Sequence, residues 1–373
     1  MGKKLRIAIL YNQPVTDSQE RRKYISENGQ LNEGPPLRKN SKVSAQKKPT
    51  AFQEMIDLSE VGVLEEMEDI RTALNALGYR TSIFNVDSNM DRLYRILVDE
   101  KPDLVFNIVE SIENEAILEM NVAGLYDLLR IPYTGAGPLA LGTALHKARV
   151  KEILTYHGIP TPKFQLFQPS DKIALNKGIP FPVIVKPARE DASVGITDSS
   201  VVYGPGELRK QVRWVFEEFE QPAIVEQYID GRELNVALLG NKPPVVLPIS
   251  EIDFSGLTQE MHKIVSYEAK WMHGTVAYEG TKGLCPAPLT SGQESRIRAI
   301  AQRCFELIGC RDYARVDLRL SREGMPYVLE VNPNPDISDD AGFARSARAH
   351  GLGFSETIGR IVESALARYG LTR

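Results

Sequence analysis

The stretch that decides the fold lies near the carboxyl end of the chain, at residues 313–332, and reads YARVDLRLSREGMPYVLEVN. Two runs of alternating polar and apolar residues flank a central SREGMP segment, in which Gly324 can adopt a positive φ. The pattern predicts two antiparallel strands joined by a tight hairpin. Because side chains alternate across a strand, one face of the hairpin would be apolar and the other polar. The polar face would carry Arg315, Asp317, Glu330 and Asn332.

This polar face suits a magnesium site. Two carboxylates and an amide provide oxygen ligands of the hard kind that Mg²⁺ prefers, and neither His nor Cys stands among them. Magnesium of this kind is typically held against a polyphosphate. The competing interpretation is a solvent-facing hairpin with ordinary charged residues, and the alternation alone does not decide between the two.

The composition is that of an ordinary globular protein of two or three domains. The 373 residues carry a formal net charge of −4, which attracts neither nucleic acid nor an anionic membrane, so we expect small-molecule partners. No stretch approaches the roughly 20 apolar residues of a membrane helix, and the first apolar run is too short for a signal peptide. Three cysteines without metal-ligand spacing favour a reducing compartment, so we expect a cytoplasmic protein.

Strands and helices alternate in the first part of the chain. Short apolar runs predict strands at residues 7–11, 81–86 and 103–109, and helical spacing of apolar residues predicts helices at 64–77, 90–100 and 117–129. This alternation predicts an open, mostly parallel α/β sheet in residues 1–140. Residues 13–58 form a polar insertion rich in basic residues, which we interpret as a solvated loop; binding of a phosphate or an acidic partner is the alternative.

Beyond residue 160 the chain is rich in short strands separated by tight turns. These are predicted to be neighbouring antiparallel strands rather than strands joined by crossover helices. The predicted strands cover residues 181–187, 223–229, 234–239, 245–249, 313–320 and 327–331, and a final helix runs from 355 to 370.

A lysine ends the apolar run at residues 181–186, and a loop of small residues follows it, in the order FPVIVKPAREDASVGI. Burying a lysine is costly unless an anion meets it, and backbone N–H groups of such a loop can approach phosphate oxygens. Lys186 is therefore a candidate phosphate ligand. The alternative is that its ammonium group extends past the strand end into solvent.

The segment AIVEQYIDGRELNV, at residues 223–236, predicts an apolar strand, a turn and a second strand. Adenine needs an apolar slot with backbone donors and acceptors, and a ribose needs a carboxylate acceptor. Glu226, Gln227 and Ile229 are candidates for the edge of this slot, and Glu233 is the candidate ribose acceptor. A plain surface hairpin with acidic side chains is the alternative.

Taken together, these motifs resemble those of the D-alanine–D-alanine ligase family of ATP-grasp enzymes. The match covers most of the chain from about Asp103 onward, and the turn IPYTGAG at residues 131–137 resembles the family's link between its first two domains. The matching residues, in chain order, are Lys147, Lys186, Glu190, Ser193, Gly195, Glu226, Glu233, Tyr267, Lys270, Arg315, Asp317, Glu330 and Asn332.

The resemblance implies a role for each candidate. Lys147, Lys186 and Lys270 would neutralise the nucleotide phosphates, with Lys270 in a loop that closes over the γ-phosphate. Asp317, Glu330 and Asn332 would hold two magnesium ions, and Mn²⁺ is a possible substitute. Arg315 would steady the transferred phosphate and the tetrahedral intermediate, with Ser193 and Lys270 as further catalytic residues. The rest of the ATP site would comprise Glu190, Glu226, Gln227, Ile229 and Glu233.

The chain departs from the family's pattern on the side that selects amino acids. The first strand lacks the family's opening glycine pair and serine–glutamate element, so the group that binds the first substrate's ammonium is not identified. Glu110 stands where the family has a histidine, and Ala341 where it has a serine that binds the second alanine's carboxylate. Negative charge nearby would favour a cationic acceptor; alternatively some of these acids point to solvent or cap the next helix. The acids are Glu110, Asp336, Asp339 and Asp340.

The sequence thus predicts an ATP-grasp fold, α/β with α+β character in its C-terminal part, behind an open parallel-sheet N-terminal domain. The predicted units are residues 1–140, 141–230 and 231–373, with ATP between the last two. The predicted reaction joins a carboxylate to an amine through an acyl phosphate, as the D-alanine–D-alanine ligases of peptidoglycan synthesis do, and a homodimer is expected. The alternatives are ligation to a cationic amine, a non-catalytic nucleotide-binding protein, and a scaffold acting through the basic insertion.

Overall fold

The computed structural model describes residues 4–13, 23–25, 31–33, 62–86, 89–112, 115–339 and 341–371. The predicted insertion at residues 13–58 lies mostly outside these ranges. Within it, β2 (Lys23–Ile25) and β3 (Leu31–Glu33) pair as antiparallel strands. The interpretation of the insertion as a solvated loop stays a prediction.

The first part of the chain alternates strands and helices. Its elements are β1 (Arg6–Tyr11), α1 (Val63–Ala76), β4 (Arg80–Asn85), α2 (Met90–Glu100), β5 (Leu104–Ile108) and α3 (Glu119–Leu129). The three strands form a parallel sheet in the order β4–β1–β5. Strands β1 and β5 are buried almost throughout, as expected of a parallel sheet covered by helices. The predicted parallel α/β sheet is therefore confirmed.

Two helices, α4 (Pro138–Leu145) and α5 (Lys147–Tyr156), lead into a second sheet. Its elements are β6 (Phe164–Phe167), β7 (Val183–Pro187), β8 (Val201–Val202), α6 (Pro205–Phe219) and β9 (Ala223–Gln227). The strands are antiparallel, in the order β6–β9–β7–β8. Helix α6 packs Leu208, Val212 and Val215 against Val183 and Val185, so one face of this small sheet is closed by apolar contacts.

A third, antiparallel sheet fills the rest of the chain. Its strands are β10 (Gly231–Leu239), β11 (Val245–Val246), β12 (Ser250–Asp253), β13 (Lys282–Leu284), β14 (Tyr313–Ser321) and β15 (Pro326–Asn332). They lie in the order β13–β12–β10–β14–β15, with β11 beside β10. The helices of this part are α7 (Tyr267–Trp271), α8 (Val276–Glu279), α9 (Ser291–Ile308), α10 (Gly342–Ala349) and α11 (Phe354–Arg368).

The strand-rich prediction for the second half needs two corrections. β9 and β10 follow each other in sequence but lie in different sheets, so they do not form a hairpin with each other. The prediction also omits two long helices, α6 and α9, each of which covers one face of a sheet. Among the described residues, no helix is both long and apolar enough to cross a membrane.

A buried aspartate ties the first part of the chain to the third sheet. Asp312, which is fully buried, accepts hydrogen bonds from the Gly135 N–H at 2.9 Å, from Asn241 Nδ2 at 3.0 Å and from Arg368 Nη2 at 2.8 Å. Gly135 lies in the link at residues 131–137, and Arg368 ends α11. One carboxylate thus holds the link, a loop and the last helix together.

We expect Asp312→Ala to lower the free energy of unfolding by about 3–5 kcal/mol, because it removes one partner of a buried ion pair. Urea denaturation measures the change. The control is Glu306→Ala, which removes an exposed pair with Arg303 and should cost less than about 1 kcal/mol. Similar losses in the two variants would contradict the central role of Asp312.

Candidate active site

The hairpin of β14 and β15 gathers four candidate residues on one face. Arg315 lies opposite Asn332, and Asp317 lies opposite Glu330. Asn332 Nδ2 donates to Asp317 Oδ2 at 2.9 Å and to Glu330 Oε1 at 3.3 Å. On the other face, Val316, Leu318, Val328 and Val331 are buried in the apolar core. Val328 lies there because the pairing shifts by one residue at Leu329, so the alternation predicts the two faces of β14 but not the whole of β15.

Asp317 is held by three side chains. Arg315 donates to it from Nε and Nη2, both at 2.9 Å, and Asn235 Nδ2 donates at 2.7 Å. Asn235 faces Asp317 directly across the pairing of β10 with β14, and the sequence analysis did not single it out. The pairing of these two strands could have indicated it.

A buried lysine approaches this face from α5. Lys147 Nζ lies 2.9 Å from Asp191 Oδ1 and 3.9 Å from Glu330 Oε2, and it also donates to the Glu190 carbonyl. Burial by itself would raise the pKa of Glu330, but the positive charges of Lys147, Lys186 and Arg315 lower it to about 2. Glu330 is therefore an anion at every physiological pH.

Behind the phosphate candidates lies a buried triad of charges. Glu226, 1% exposed, sits 3.4 Å from Lys151 Nζ and 3.3 Å from Lys186 Nζ. Lys186 thus meets an anion of the protein itself, and the alternative of a lysine extending into solvent is wrong for this side chain. Lys151 was not a sequence candidate; its spacing of four residues from Lys147 on α5 is the signal that could have indicated it.

These groups surround a cavity between the second and third sheets. Of the candidates, Lys270, Arg315 and Asn332 are not among the described residues that line it, although Arg315 and Asn332 contact Asp317. The lining consists of Lys147, Ile184, Lys186, Glu190, Asp191, Ser193, Ile196, Glu226, Gln227, Tyr228, Ile229, Glu233, Ile264, Val265, Asp317, Arg319, Leu329 and Glu330.

At one part of the cavity, Glu233 pairs with an arginine. Arg319 Nη1 lies 3.0 Å from Glu233 Oε2, and the two residues face each other across β10 and β14. The predicted ribose acceptor therefore has one carboxylate oxygen already bound. Arg319 follows Arg315 and Asp317 at alternate positions of the same strand, a pattern that would have placed it on the polar face.

The loop that carries Ala192 and Ser193 contacts the segment that carries Val265 and Trp271, beside the cavity. The Ser193 hydroxyl donates to the Val265 carbonyl at 2.9 Å, and Trp271 Nε1 donates to the Ala192 carbonyl at 2.9 Å. A Cβ at Gly195, where φ is 74°, would lie 2.5 Å from Pro187 Cγ, so the turn requires glycine. The hydrogen bond of the Ser193 hydroxyl therefore goes to a backbone carbonyl, that of Val265, and not to a side chain of the polar face.

Lys270 lies on the short helix α7 rather than in a loop, and its Nζ is 4.6 Å from the centre of the Trp271 ring. Unlike Lys147 and Lys186, it is not among the described residues that line the cavity. Its expected role in closing over the γ-phosphate stays a prediction.

Acidic residues collect beside the polar face, toward the first sheet. Glu66 on α1 accepts from the Ile337 N–H at 3.2 Å, and Glu119 on α3 accepts from Asn334 Nδ2 at 2.9 Å. Burial raises the pKa of Glu119, and the negative charge of Glu110 raises it further. Burial also raises the pKa of Glu66, together with the negative charges of Asp336 and Glu110. Neither Glu66 nor Glu119 was a sequence candidate, since their role depends on long-range packing.

The four acids singled out from the sequence differ in their surroundings. Asp339 is exposed and pairs with Arg348 at 2.7 Å, so for Asp339 the solvent-facing alternative is correct. Asp336 accepts from the Ser338 N–H and hydroxyl, and its charge helps to raise the pKa of Arg315. Glu110 is exposed and Asp340 lies outside the described residues. Ala341 is the N-cap residue of α10 and makes no side-chain cap.

Among the described residues, no three His, Cys, Asp or Glu side chains converge as metal ligands do. The predicted set of Asp317, Glu330 and Asn332 therefore depends on the amide of Asn332. Since Asn332 donates its Nδ2 to both carboxylates, its Oδ1 is the atom available to a cation.

Known proteins resemble this chain in sequence and in fold. A family model described as D-ala D-ala ligase C-terminus matches residues 153–363. An uncharacterised protein of Sinorhizobium fredii, y4sG, is 33% identical over 307 residues, or 81% of this chain and 88% of that protein. A D-alanine–D-alanine ligase of Pelotomaculum thermopropionicum is 30% identical over 321 residues, or 83% of this chain and 94% of the ligase.

Among solved structures, the D-alanine–D-alanine ligase from Bacillus anthracis complexed with ATP superposes with a TM-score of 0.69 at 20% identity, over 98% of this chain and 99% of that one. This likeness shows that the fold is ATP-grasp, with a parallel sheet in the N-terminal part. The relatives define the class as ligases that form C–N bonds with ATP. The chain belongs to the D-alanine–D-alanine ligase family.

The buried triad predicts a pH dependence of stability. Burial lowers the pKa of Lys151 from its ordinary 10.5 to about 8. Between these two values the unfolded chain binds more protons than the folded one, so this lysine makes the free energy of unfolding rise with pH. Denaturation of the native protein and of Lys151→Met, at several pH values from 7.5 to 10.5, measures the difference. Parallel curves for the two proteins would contradict the depressed pKa.

Proposed function

We propose that this protein uses ATP to activate a carboxylate as an acyl phosphate and then joins it to an amine, with release of ADP and phosphate. The observation that carries the proposal is the polar face of the β14–β15 hairpin, where Arg315, Asp317, Glu330 and Asn332 lie beside Lys147. Cationic groups and metal-binding oxygens on one surface suit transfer of the γ-phosphoryl group, whose charge is spread over several oxygens.

The side chains of the polar face are of the kind that bind magnesium. Asp317, Glu330 and Asn332 present oxygen ligands, and Glu330 stays ionised because three cations surround it. Asp317 is paired with Arg315, so a cation that binds Asp317 competes with this guanidinium. When bound, magnesium would neutralise phosphate charge; whether one ion or two bind stays a prediction, as does the use of manganese.

The side chains around the cavity supply the other requirements. Lys147 and Lys186 are buried cations that can meet phosphate oxygens, and Arg315 can stabilise negative charge on the transferred group. The contacts of Ser193 with Val265 and of Trp271 with Ala192 join two segments beside the site, and their closure over bound ATP would keep out water that hydrolyses an acyl phosphate. Lys270 and Ser193 remain proposed catalytic residues.

The amino-acid substrates are the finer part of the proposal. Relatives named D-alanine–D-alanine ligase favour two D-alanines, and hence a place in peptidoglycan synthesis. The acids of the substrate side favour a second candidate, a cationic acceptor such as a basic amino acid or a diamine. Glu66 and Glu119 each have like charge nearby, and a cation would relieve that repulsion. The cytoplasmic location, the homodimer and the division into three units stay predictions.

Glu330→Gln should reduce turnover by at least about a hundredfold, because a magnesium ion with fewer charged ligands holds the triphosphate poorly. Phosphate release is measured with magnesium-ATP and the best amino-acid pair. The control is Glu323→Gln, an exposed position on the turn of the same hairpin. If Glu330→Gln keeps turnover near that of the native protein at limiting magnesium, the metal assignment is wrong. If the native protein folds but never releases phosphate, the non-catalytic alternative is favoured.

Acceptor preference separates the two substrate candidates. A screen of phosphate release with one fixed donor compares kcat/KM for D-alanine, lysine, arginine and a diamine. If the acids select a cation, the cationic acceptors exceed D-alanine, and Asp336→Asn lowers that preference about fivefold or more. Asp339→Asn is the matched control, since Asp339 is exposed and paired with Arg348. Efficient synthesis of D-alanyl-D-alanine, above every cationic acceptor, would exclude the second candidate.

A further inference from the structure

Arg319 is a residue of the nucleotide cavity to which the proposed reaction gives no role. It lies on β14 two residues beyond Asp317, and therefore on the same side of the strand. The side chain lines the cavity but is almost fully buried, with 3% of the residue exposed. A cation buried this deeply requires partners for its charge and for its five N–H groups.

The partners of Arg319 are incomplete. Nε donates to the Ile229 carbonyl at 3.0 Å, and Nη1 donates to Glu233 Oε2 at 3.0 Å and to the Lys263 carbonyl at 2.8 Å. Nη2 is buried and makes no hydrogen bond of ordinary geometry to the residues that the structure describes, although the guanidinium also acts on the Tyr228 hydroxyl and opposes the rise in its pKa that burial causes. An unpaired donor in a buried position is unfavourable, and at the wall of a cavity it indicates a ligand acceptor.

The surroundings of Arg319 indicate what kind of acceptor would bind to its Nη2. The guanidinium carbon lies 5.7 Å from the centre of the Tyr228 ring and 5.8 Å from that of Phe254, and Ile264 lines the same cavity. Glu233 already neutralises the guanidinium charge, whereas Lys147 and Lys186 remain to meet phosphate. A neutral, planar group with acceptor atoms fits beside Nη2 better than a phosphate does.

We infer that Arg319 donates from Nη2 to a ring nitrogen of the nucleobase and is a specificity-determining residue for the nucleotide. The ring nitrogens of adenine are hydrogen-bond acceptors at the edges of the base. Glu233 then has two functions, because it holds the arginine in place with one oxygen and leaves the other for the ribose. The inference rests on the proposed use of ATP.

Binding of ATP analogues to the native protein tests this inference. In 1-deaza-, 3-deaza- and 7-deaza-ATP, a C–H group replaces one ring nitrogen at a time. Isothermal titration with magnesium and without amino acids should show that at least one analogue binds about tenfold to a hundredfold more weakly than ATP, as loss of a hydrogen bond to a charged donor predicts. Equal affinity for ATP and all three analogues would overturn the inference.

Variants assign the lost bond to Arg319. In Arg319→Met, ATP should bind about tenfold or more weakly and the penalty for the sensitive analogue should disappear, as a double-mutant cycle requires. Arg319→Met combined with Glu233→Gln removes both charges, which avoids an unpaired buried carboxylate if the single variant does not fold. A penalty that persists in either variant would show that another donor binds the base.

A matched control comes from the neighbouring strand pair, β10 and β12. Arg232 pairs with Glu251, and because it neighbours Glu233 on β10 its side chain points to the opposite face of the sheet. Arg232→Met removes an arginine–glutamate pair outside the cavity and should keep the native discrimination among the analogues. Loss of that discrimination in Arg232→Met would overturn the specific role of Arg319.

The binding assay separates this inference from the proposed reaction. ATP binding that depends on Arg319, in a protein that releases no phosphate with any amino-acid pair, would contradict the ligase proposal and support the role of Arg319. If the protein releases phosphate but substitution of Arg319 does not change analogue binding, the ligase proposal is supported and the role of Arg319 is contradicted. Failure of the native protein to bind any nucleotide would overturn both.

Discussion

The register of β14 between β10 and β15 is the constraint on which the site depends. β14 is hydrogen-bonded on both sides, so each of its side chains has a fixed face. Arg315, Asp317 and Arg319 lie on the polar face, where Asp317 and Arg319 line the cavity, while Val316 and Leu318 pack in the core beneath α9. A slip of one residue would turn three charged side chains into the core and expose the apolar ones. Such a slip is strongly disfavoured, because buried charges without partners are costly.

The same pairing brings in residues from elsewhere in the chain. Across β10, Asn235 faces Asp317 and Glu233 faces Arg319, so each charged group of β14 meets a polar partner at hydrogen-bond distance. The cations of α5 and β7 are balanced in turn by carboxylates of β9 and β15. The cations of the cavity are therefore each paired with a carboxylate, and on the proposed function phosphate oxygens would replace some of these carboxylates around the lysines.

The sequence was sufficient for the parts of this site that local patterns determine. Alternation in β14 and β15 predicts the polar face, and alternation of strands and helices predicts the parallel first sheet. It was not sufficient for partners that depend on long-range pairing: Asn235, Glu66 and Glu119 become visible when the sheets and helices are assembled. Arg319 and Lys151 carry local signals, the alternation of β14 and the four-residue spacing from Lys147, that the sequence analysis did not use. β9 and β10 show the limit in another way, since two strands separated by a short turn suggest a hairpin, yet each finds its partners in a different sheet.

The two sides of the polar face carry different ionisable groups. Toward the second sheet lie the lysines that would meet ATP, and toward the first sheet lie Glu66, Glu119 and Asp336. Arg315 stands between them, paired with Asp317 and within the field of Asp336. On the proposed reaction, this polarity orients the chemistry: phosphate groups are attracted to one side and an amine to the other, so an acyl phosphate forms where the two sides meet. On that proposal an anionic acceptor is repelled from the position that a free amine must occupy to attack, and the acids, rather than the ATP site, would then select the acceptor.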